Sequence, residues 1–338
     1  MFEGLFKRTT LSDRQERAVR KTLQTLRAQR RNRFRILACI DGSDDAMVTV
    51  RFAAQLAPSD ECDIIVLYVR PVDQGLWSGG LQLKLARQNM MEAGFELPGV
   101  RDLKKTLAVL KEEGIDAESW PKEASQQDAW NDPAGDTKVE YKSPEGRTVV
   151  LKLKTAPDVA NGILDQYELG PYNLVILGPP SRWRTEFKAL LDAGVVQQVL
   201  TMAPCSVLVA RSSLDREGFF VCTDGTSRSM QAVRRAAVLA HASGSPITLF
   251  SVASDENGRP AAEEAVANAK ALLKAMKIDV AATRTAIGKP AQEIIEAGSN
   301  YKLIVVTDEG RSRIERLWRG SIATDVVRGA RTSVLDVR

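Results

Sequence analysis

The residues best equipped for chemistry lie near the C-terminal end, in VVTDEGRSRIERLWRGSIATDVV from Val305 to Val327. Asp308 and Glu309 are adjacent carboxylates, Arg311, Arg313, Arg316 and Arg319 carry guanidinium groups, and Gly310, Gly320 and Ser321 are set among them. Glycine lets backbone N–H groups come close to a ligand. The free N–H groups of a helix start, with a serine hydroxyl beside them, form an anion site. Gly320-Ser321 opens such a helix, because Ile322, Val326 and Val327 follow at helical spacing. The chemistry indicated is reception of a phosphate. Asp308 and Glu309 would repel one, so an offset is needed. Either Mg2+ sits between carboxylate and phosphate, or the arginines supply the charge. The plainer reading of those arginines is a solvated helix face.

A strand must deliver this turn. The β-branched run from Leu303 to Thr307 reads as one, buried on both faces. A strand, a glycine turn and a helix start together form a nucleotide-phosphate cradle at the carboxyl end of a parallel strand. Upstream, FFVCTDGTSRSMQAVRRAAVLA reads as a strand, a turn at Thr223-Asp224-Gly225 and a helix, and PITLFSV as a second strand ending near Val252. Asp224 is either a turn and capping residue or an acceptor for a ligand hydroxyl. The same order occurs earlier. FRILACIDGSDDAMVTVRFAAQLA, CDIIVLYVR and APCSVLVAR match it and the closing RTSVLDVR. An internal repeat of this length means two copies of one domain. Asp41 to Gly178 spans 137 residues and Asp224 to Thr307 spans 83, so the first copy carries about 54 extra. That surplus includes Val139–Lys142 and Thr148–Leu153 around Pro144-Glu145-Gly146, which reads as a β-hairpin.

Gly310, nine residues and then Gly320-Ser321 resemble the G-x2-G-x9-G-[S/T] loop of the universal stress protein family, with Thr307 standing where the first glycine would fall. The resemblance implies an α/β fold of two tandem doubly wound, five-stranded parallel sheets, Rossmann-like and of the adenine nucleotide alpha hydrolase type. With the charge count and the repeat spacing it divides the chain into a basic arm at 1–33, a first domain at 34–211 with an insertion at about 79–156, and a second domain at 218–338. It also implies ATP or another adenine nucleotide as ligand, with Asp224 on the adenine–ribose side, Val252 lining the adenine pocket and the glycine loop around the phosphates. The cofactor-binding candidates are Thr223, Asp224, Val252, Thr307, Gly310, Arg311, Gly320, Ser321 and Ile322, with Asp308 and Glu309 as metal ligands only beside a nucleotide. The first copy is degenerate. Pro179 and Pro180 follow Gly178 and offer no N–H, Ser181 takes the place of a glycine, and Gly194 is followed by Val195 instead of a hydroxyl residue. SVLVAR and SVLDVR could pair the two copies as an intrachain pseudo-dimer, with Asp336 an unwelcome polar residue there; a homodimer through the arm or hairpin is a further option.

Composition sets the outer bounds. The chain has 338 residues, enough for two sizeable cores, and no apolar run approaches a membrane span. No signal peptide is visible, and the cysteine usage fits a reducing cytoplasm. Cys39, Cys62, Cys205 and Cys222 form no C-x-x-C pair and read as buried thiols. A single histidine, His241, argues against a histidine-built metal site or triad. Residues 1–34 hold ten Lys/Arg against three Asp/Glu, a net of +7, so the rest of a +4 chain is −3. Phe2, Leu5 and Phe6 beside Lys7 and Arg8, and a helix expected over about 12–31, make residues 1–31 a membrane-surface or acidic-protein contact, or else a packing helix with solvated charges. Nucleic acid is disfavoured, because aromatic residues are not interleaved with the charges. No G-x-x-x-x-G-K-[S/T] motif or general base is evident, so slow ATP hydrolysis is the most catalysis expected. Three readings follow: a nucleotide-binding stress or signalling protein with its ligand in the second copy, a nucleotide-free scaffold using insertion and arm, and a weak ATPase.

Overall fold

The computed structural model describes residues 33–57, 61–71, 98–129, 132–169, 171–178, 193–307 and 322–338. The expected helices over 12–31 and 81–93, the residues Pro179, Pro180 and Ser181, and the loop 308–321 lie outside them.

In the first half, β1 (Phe34–Ile40) leads through a short 3-10 turn into α1 (Met47–Gln55) and β2 (Cys62–Pro71). Helix α2 (Pro98–Glu112) packs on α1 and is followed by β3 (Lys122–Ala129), β4 (Asp132–Lys142) and β5 (Thr148–Ala156). Helix α3 (Val159–Leu164), β6 (Leu174–Leu177), α4 (Ala193–Met202) and β7 (Ser206–Val209) complete it. The second half repeats the plan with β8 (Phe219–Cys222), α5 (Ser227–Ala242), β9 (Ile247–Ala253), α6 (Arg259–Ala275), β10 (Ala282–Ile287), α7 (Pro290–Ala297), β11 (Leu303–Thr307), α8 (Ile322–Gly329) and β12 (Ser333–Val337).

The twelve strands among the described residues form one sheet, in the order β10-β9-β8-β11-β12-β7-β6-β1-β2-β5-β4-β3. Within each half the five central strands are parallel, as right-handed β-α-β crossovers require. The continuous apolar runs of β1, β2, β8, β9 and β11 are explained by cover on both faces. One core layer gathers Ile36, Ile64, Phe219 and Leu249, the other Leu37, Leu67, Phe220 and Ile304.

The halves join through their last strands. Strands β7 and β12 are antiparallel, with Val209 opposite Val334, Leu208 opposite Leu335 and Val207 opposite Asp336. The aspartate does not prevent the pairing. It is 3% exposed, and the Arg338 guanidinium lies 3.5 Å from its carboxylate. Polar contacts pin the junction further, with the Ser213 and Ser333 hydroxyls 2.8 Å apart and Lys302 Nζ donating to Gln55 Oε1 at 2.6 Å.

The hairpin between residues 132 and 156 forms in antiparallel register, Thr137 opposite Leu153 through Lys142 opposite Thr148. Its second strand has a different rank from the one expected. Strand β5 pairs in parallel with β2 from Asp63–Thr148 to Pro71–Ala156, as β10 does with β9. It is therefore a core strand lying inside the 79–156 range read as inserted. The added strands are β3 and β4, which extend the sheet beyond β5.

Candidate functional site

In each half the strand order reverses beside its first strand, between β8 and β11 in the second half and between β1 and β6 in the first. A crevice at the carboxyl ends of the strands there is where open α/β sheets receive ligands. In the second half it holds a cavity of about 210 Å3. Thr223 and Asp224 enter from the end of β8, Val252 from β9, Thr307 from β11 and Ile322 from the first position of α8. All five described members of the candidate set thus share one cavity. Gly310, Arg311, Gly320, Ser321, Asp308 and Glu309 fall outside the described residues.

Sequence reasoning missed part of the lining. Phe250 and Ser251 precede Val252 on β9, Ser229 comes from α5, and Pro290 and Ile294 from α7. Ser229 carried a signal, since it stands three residues after the helix cap Thr226. Ile294 carried none that separates it from an ordinary core residue.

The turn after β8 is tightly built. Gly225 adopts a φ of 80°, open to glycine at little cost. Thr226 donates to Asp224 Oδ1 from its backbone N–H at 3.0 Å and its hydroxyl at 2.7 Å, while its hydroxyl oxygen caps α5 by accepting from the N–H of Ser229. Partial burial pushes the Asp224 carboxyl up, but hydrogen bonds from Ser229, Thr226 and the local backbone outweigh it and hold the pKa below the ordinary value of 3.8. Asp224 is thus an ionised turn residue at the cavity edge. It fills the turn role expected of it, while the helix cap is Thr226. The Thr307 hydroxyl donates to the Val337 carbonyl at 3.0 Å, so its polar atom is engaged by the neighbouring strand.

The matching place in the first half differs. Asp41 makes the same turn, accepting from the Ser43 backbone at 2.9 Å and its hydroxyl at 2.5 Å, around Gly42 with a φ of 83°. Two neighbours then close in. Asp102 of α2, 6% exposed, lies where a Cβ on Gly42 would come within 2.5 Å of its Oδ2. Val69, which takes the position of Val252, is 3% exposed beneath α3, whose Gly162 has no room for a methyl: its Cβ would lie 2.5 Å from Val69 Cγ1. Val252 is only half-buried.

Among the described residues no helix is long and apolar enough to cross a membrane, and no group of three or more His, Cys, Asp or Glu side chains is placed to hold a metal. The four cysteines are free and buried. Burial pushes the Cys62 thiol up to about 12 and Cys205 up to about 11, so neither is a nucleophile at neutral pH.

Two doubly wound domains in tandem, each with a switch-point crevice and a glycine turn after its first strand, define a class of nucleotide-binding architecture. The universal stress protein family model matches residues 32–211 and again 219–338, and the chain belongs to that family. A universal stress protein from Archaeoglobus fulgidus DSM 4304 superposes over 90% of this chain and 98% of its own, at 16% identity and a TM-score of 0.57. A functionally unknown protein from Pseudomonas aeruginosa PAO1 does so over 94% of both chains, at 13% identity and a TM-score of 0.54. A universal stress protein in complex with cAMP matches 36% of this chain and 97% of its own at 26% identity, with a TM-score of 0.33. No curated protein matches the chain.

Proposed function

We propose that this chain is an adenine-nucleotide-binding stress or signalling protein that takes one nucleotide, in its second half, while the first half serves as structure. The supporting observation is the contrast between two equivalent positions. Val252 borders an open cavity of about 210 Å3, whereas Val69 is sealed under α3 at Gly162. That volume is below the roughly 300–1,000 Å3 of sites that enclose a drug-sized ligand. It suits the base and part of the ribose, with the phosphates reaching toward residues 308–321. In this reading Val252, Phe250 and Ile294 give the base an apolar wall, and Asp224 accepts from a ribose hydroxyl. Gly310, Gly320 and Ser321 present N–H groups and a hydroxyl to the phosphates, while Asp308 and Glu309 carry a divalent cation or are offset by Arg311. Asp224 is the one carboxylate among the described lining residues, and it is committed to its turn, so we read the protein as a binder whose ATP hydrolysis is slow at most. Residues 1–31 would add a contact with an anionic membrane surface or acidic protein.

Isothermal titration of ATP, AMP and cyclic nucleotides, with and without magnesium, tests this on the wild type and Gly320→Val. Binding at one site per chain, lost in the variant, is the expected result. A folded protein that gives no heat with any of them overturns it. That outcome would favour the scaffold reading, for which the added strands β3 and β4 supply surface.

A further inference from the structure

A second, more highly charged cavity lies far from that one, on the first half. Strands β3 and β4 carry the sheet past β5, and the face they extend, shared with β2, bounds a cavity of about 500 Å3. Its floor is apolar, from Ile65 and Val150; its walls carry four cations, Arg35, Lys138, Lys152 and Lys154, and three carboxylates, Asp63, Asp136 and Glu140. Tyr172 lines it as well.

Arg35 is the informative residue. It is 5% exposed, its guanidinium stacks 4.4 Å over the Tyr172 ring, and one terminal nitrogen donates to the Pro171 carbonyl at 3.1 Å. Its Nε has no hydrogen-bond partner among the described residues. The nearest carboxylate oxygen, Asp63 Oδ2, is 3.9 Å away, beyond hydrogen-bond reach, and the other oxygen of Asp63 is taken by Arg33 at 2.7 Å and 2.8 Å. A buried charged donor left without an acceptor is costly, and an anionic oxygen entering the cavity would relieve it.

The opposite end has another character. Lys154 pairs with Asp136 at 2.8 Å, Lys138 pairs with Glu140, and Lys152 donates to the amide oxygen of Gln166 at 2.7 Å. Arg35 is in register with Asp63 and Thr148, and Lys152 is four residues further along β5, about 13 Å at 3.3 Å per residue. A compact ion therefore meets only one end. A polyanion would face three carboxylates, and an apolar molecule would leave charged walls unmet. A molecule with one anionic end and a train of hydroxyls satisfies both: the anion at Arg35, and hydroxyls donating to Asp136 and Glu140 and accepting from Lys152.

We propose that this cavity is a second ligand site, built by the inserted strands, for an elongated polyhydroxylated anion of the sugar phosphate or sugar acid class. The phosphate or carboxylate binds at Arg35, and the hydroxyls lie along β4 and β5.

Glucose 6-phosphate and gluconate separate the two sources of the anion. Each is titrated into the full chain by calorimetry, with the Arg35 Nε–H signal followed by 15N NMR. The expected result is a Kd below about 1 mM for at least one of them, at one site per chain, with the Arg35 signal shifted. Arg35→Gln should abolish binding, and Lys152→Gln should weaken it about tenfold, as loss of a charged hydrogen bond does. Lys152 is half-exposed, so its variant remains decisive if Arg35→Gln does not fold. Binding that survives Lys152→Gln but is lost in Val252→Tyr would place the sugar anion in the second-half cavity and overturn the proposal. So would the absence of binding tighter than about 1 mM with an unmoved Arg35 signal.

Discussion

The two turns at Asp41 and Asp224 allow a matched experiment. Each carboxylate accepts a backbone N–H and a hydroxyl from the residue two positions on, at 2.9 and 2.5 Å in the first half and 3.0 and 2.7 Å in the second. Asparagine keeps an acceptor oxygen for those bonds, so Asp41→Asn and Asp224→Asn carry similar structural costs. Only Asp224 borders an open cavity. A hydrogen bond to a charged group contributes about 1.5–3 kcal/mol and a neutral one about 0.5–1.5, so losing the charge against a ribose hydroxyl removes about 1–1.5 kcal/mol. At 1.4 kcal/mol per decade that is about a tenfold rise in Kd. Calorimetric titration of ATP should therefore give a Kd about tenfold higher for Asp224→Asn and unchanged for Asp41→Asn. Equal losses would mean that both halves bind or that the turns act indirectly. No loss in Asp224→Asn would refute the carboxylate's contact with the ligand.

Acid should expose the same group. Because the folded Asp224 pKa lies below the ordinary 3.8, its stabilising effect is complete above that pH and vanishes as pH falls through the folded value; urea melts should show the gap between wild type and Asp224→Asn closing as pH falls below 3.8, and a pH-independent gap would contradict the cause assigned. Gly162→Ala should destabilise the protein by about 1 kcal/mol, since overpacking of about 1–3 kcal/mol against Val69 exceeds the roughly 1 kcal/mol gained in helix propensity. A more stable variant, or altered ATP affinity, would show that the first half is not sealed there. Leu208→Ala, fully buried at the β7–β12 seam, should cost about 2–5 kcal/mol by chemical denaturation and separate the unfolding of the two halves; one unshifted transition would show that the seam does not couple them. Deleting residues 1–31 should abolish sedimentation with anionic liposomes and leave circular dichroism unchanged, and equal sedimentation with and without them would exclude the membrane contact.

Strands buried on both faces were legible because short, nearly continuous apolar and β-branched runs bounded by turn residues fit a covered parallel strand. Phe34–Ile40 and Leu303–Thr307 carry the limits their sequence predicts. Strand β5 was misranked for a physical reason: Lys152 and Lys154 on one face gave it the alternation of a half-exposed hairpin arm, although Val149, Leu151 and Leu153 on the other are core. The turn residues of the site were readable, as glycine, aspartate and hydroxyl residues have few other uses between a strand and a helix. Asp102 and Ile294 were not. One is a carboxylate on an amphipathic helix and the other an apolar residue at helical spacing, and only the packing of α2 and α7 gives them neighbours.

The antiparallel seam between β7 and β12 fixes how copies of this chain could assemble. It closes, inside a single molecule, the edges by which two such domains would otherwise pair. The outer edges left among the described strands are β10 and β3, and they are unlike in length and charge. Association of like edges, β3 with β3 or β10 with β10, would stop at a pair about a twofold axis. Association of unlike edges would not close, and would propagate the sheet as a filament. The charged, exposed side chains of Lys122 and Glu123 on β3 and Arg284 on β10 stand on those edges, where charge opposes uncontrolled growth.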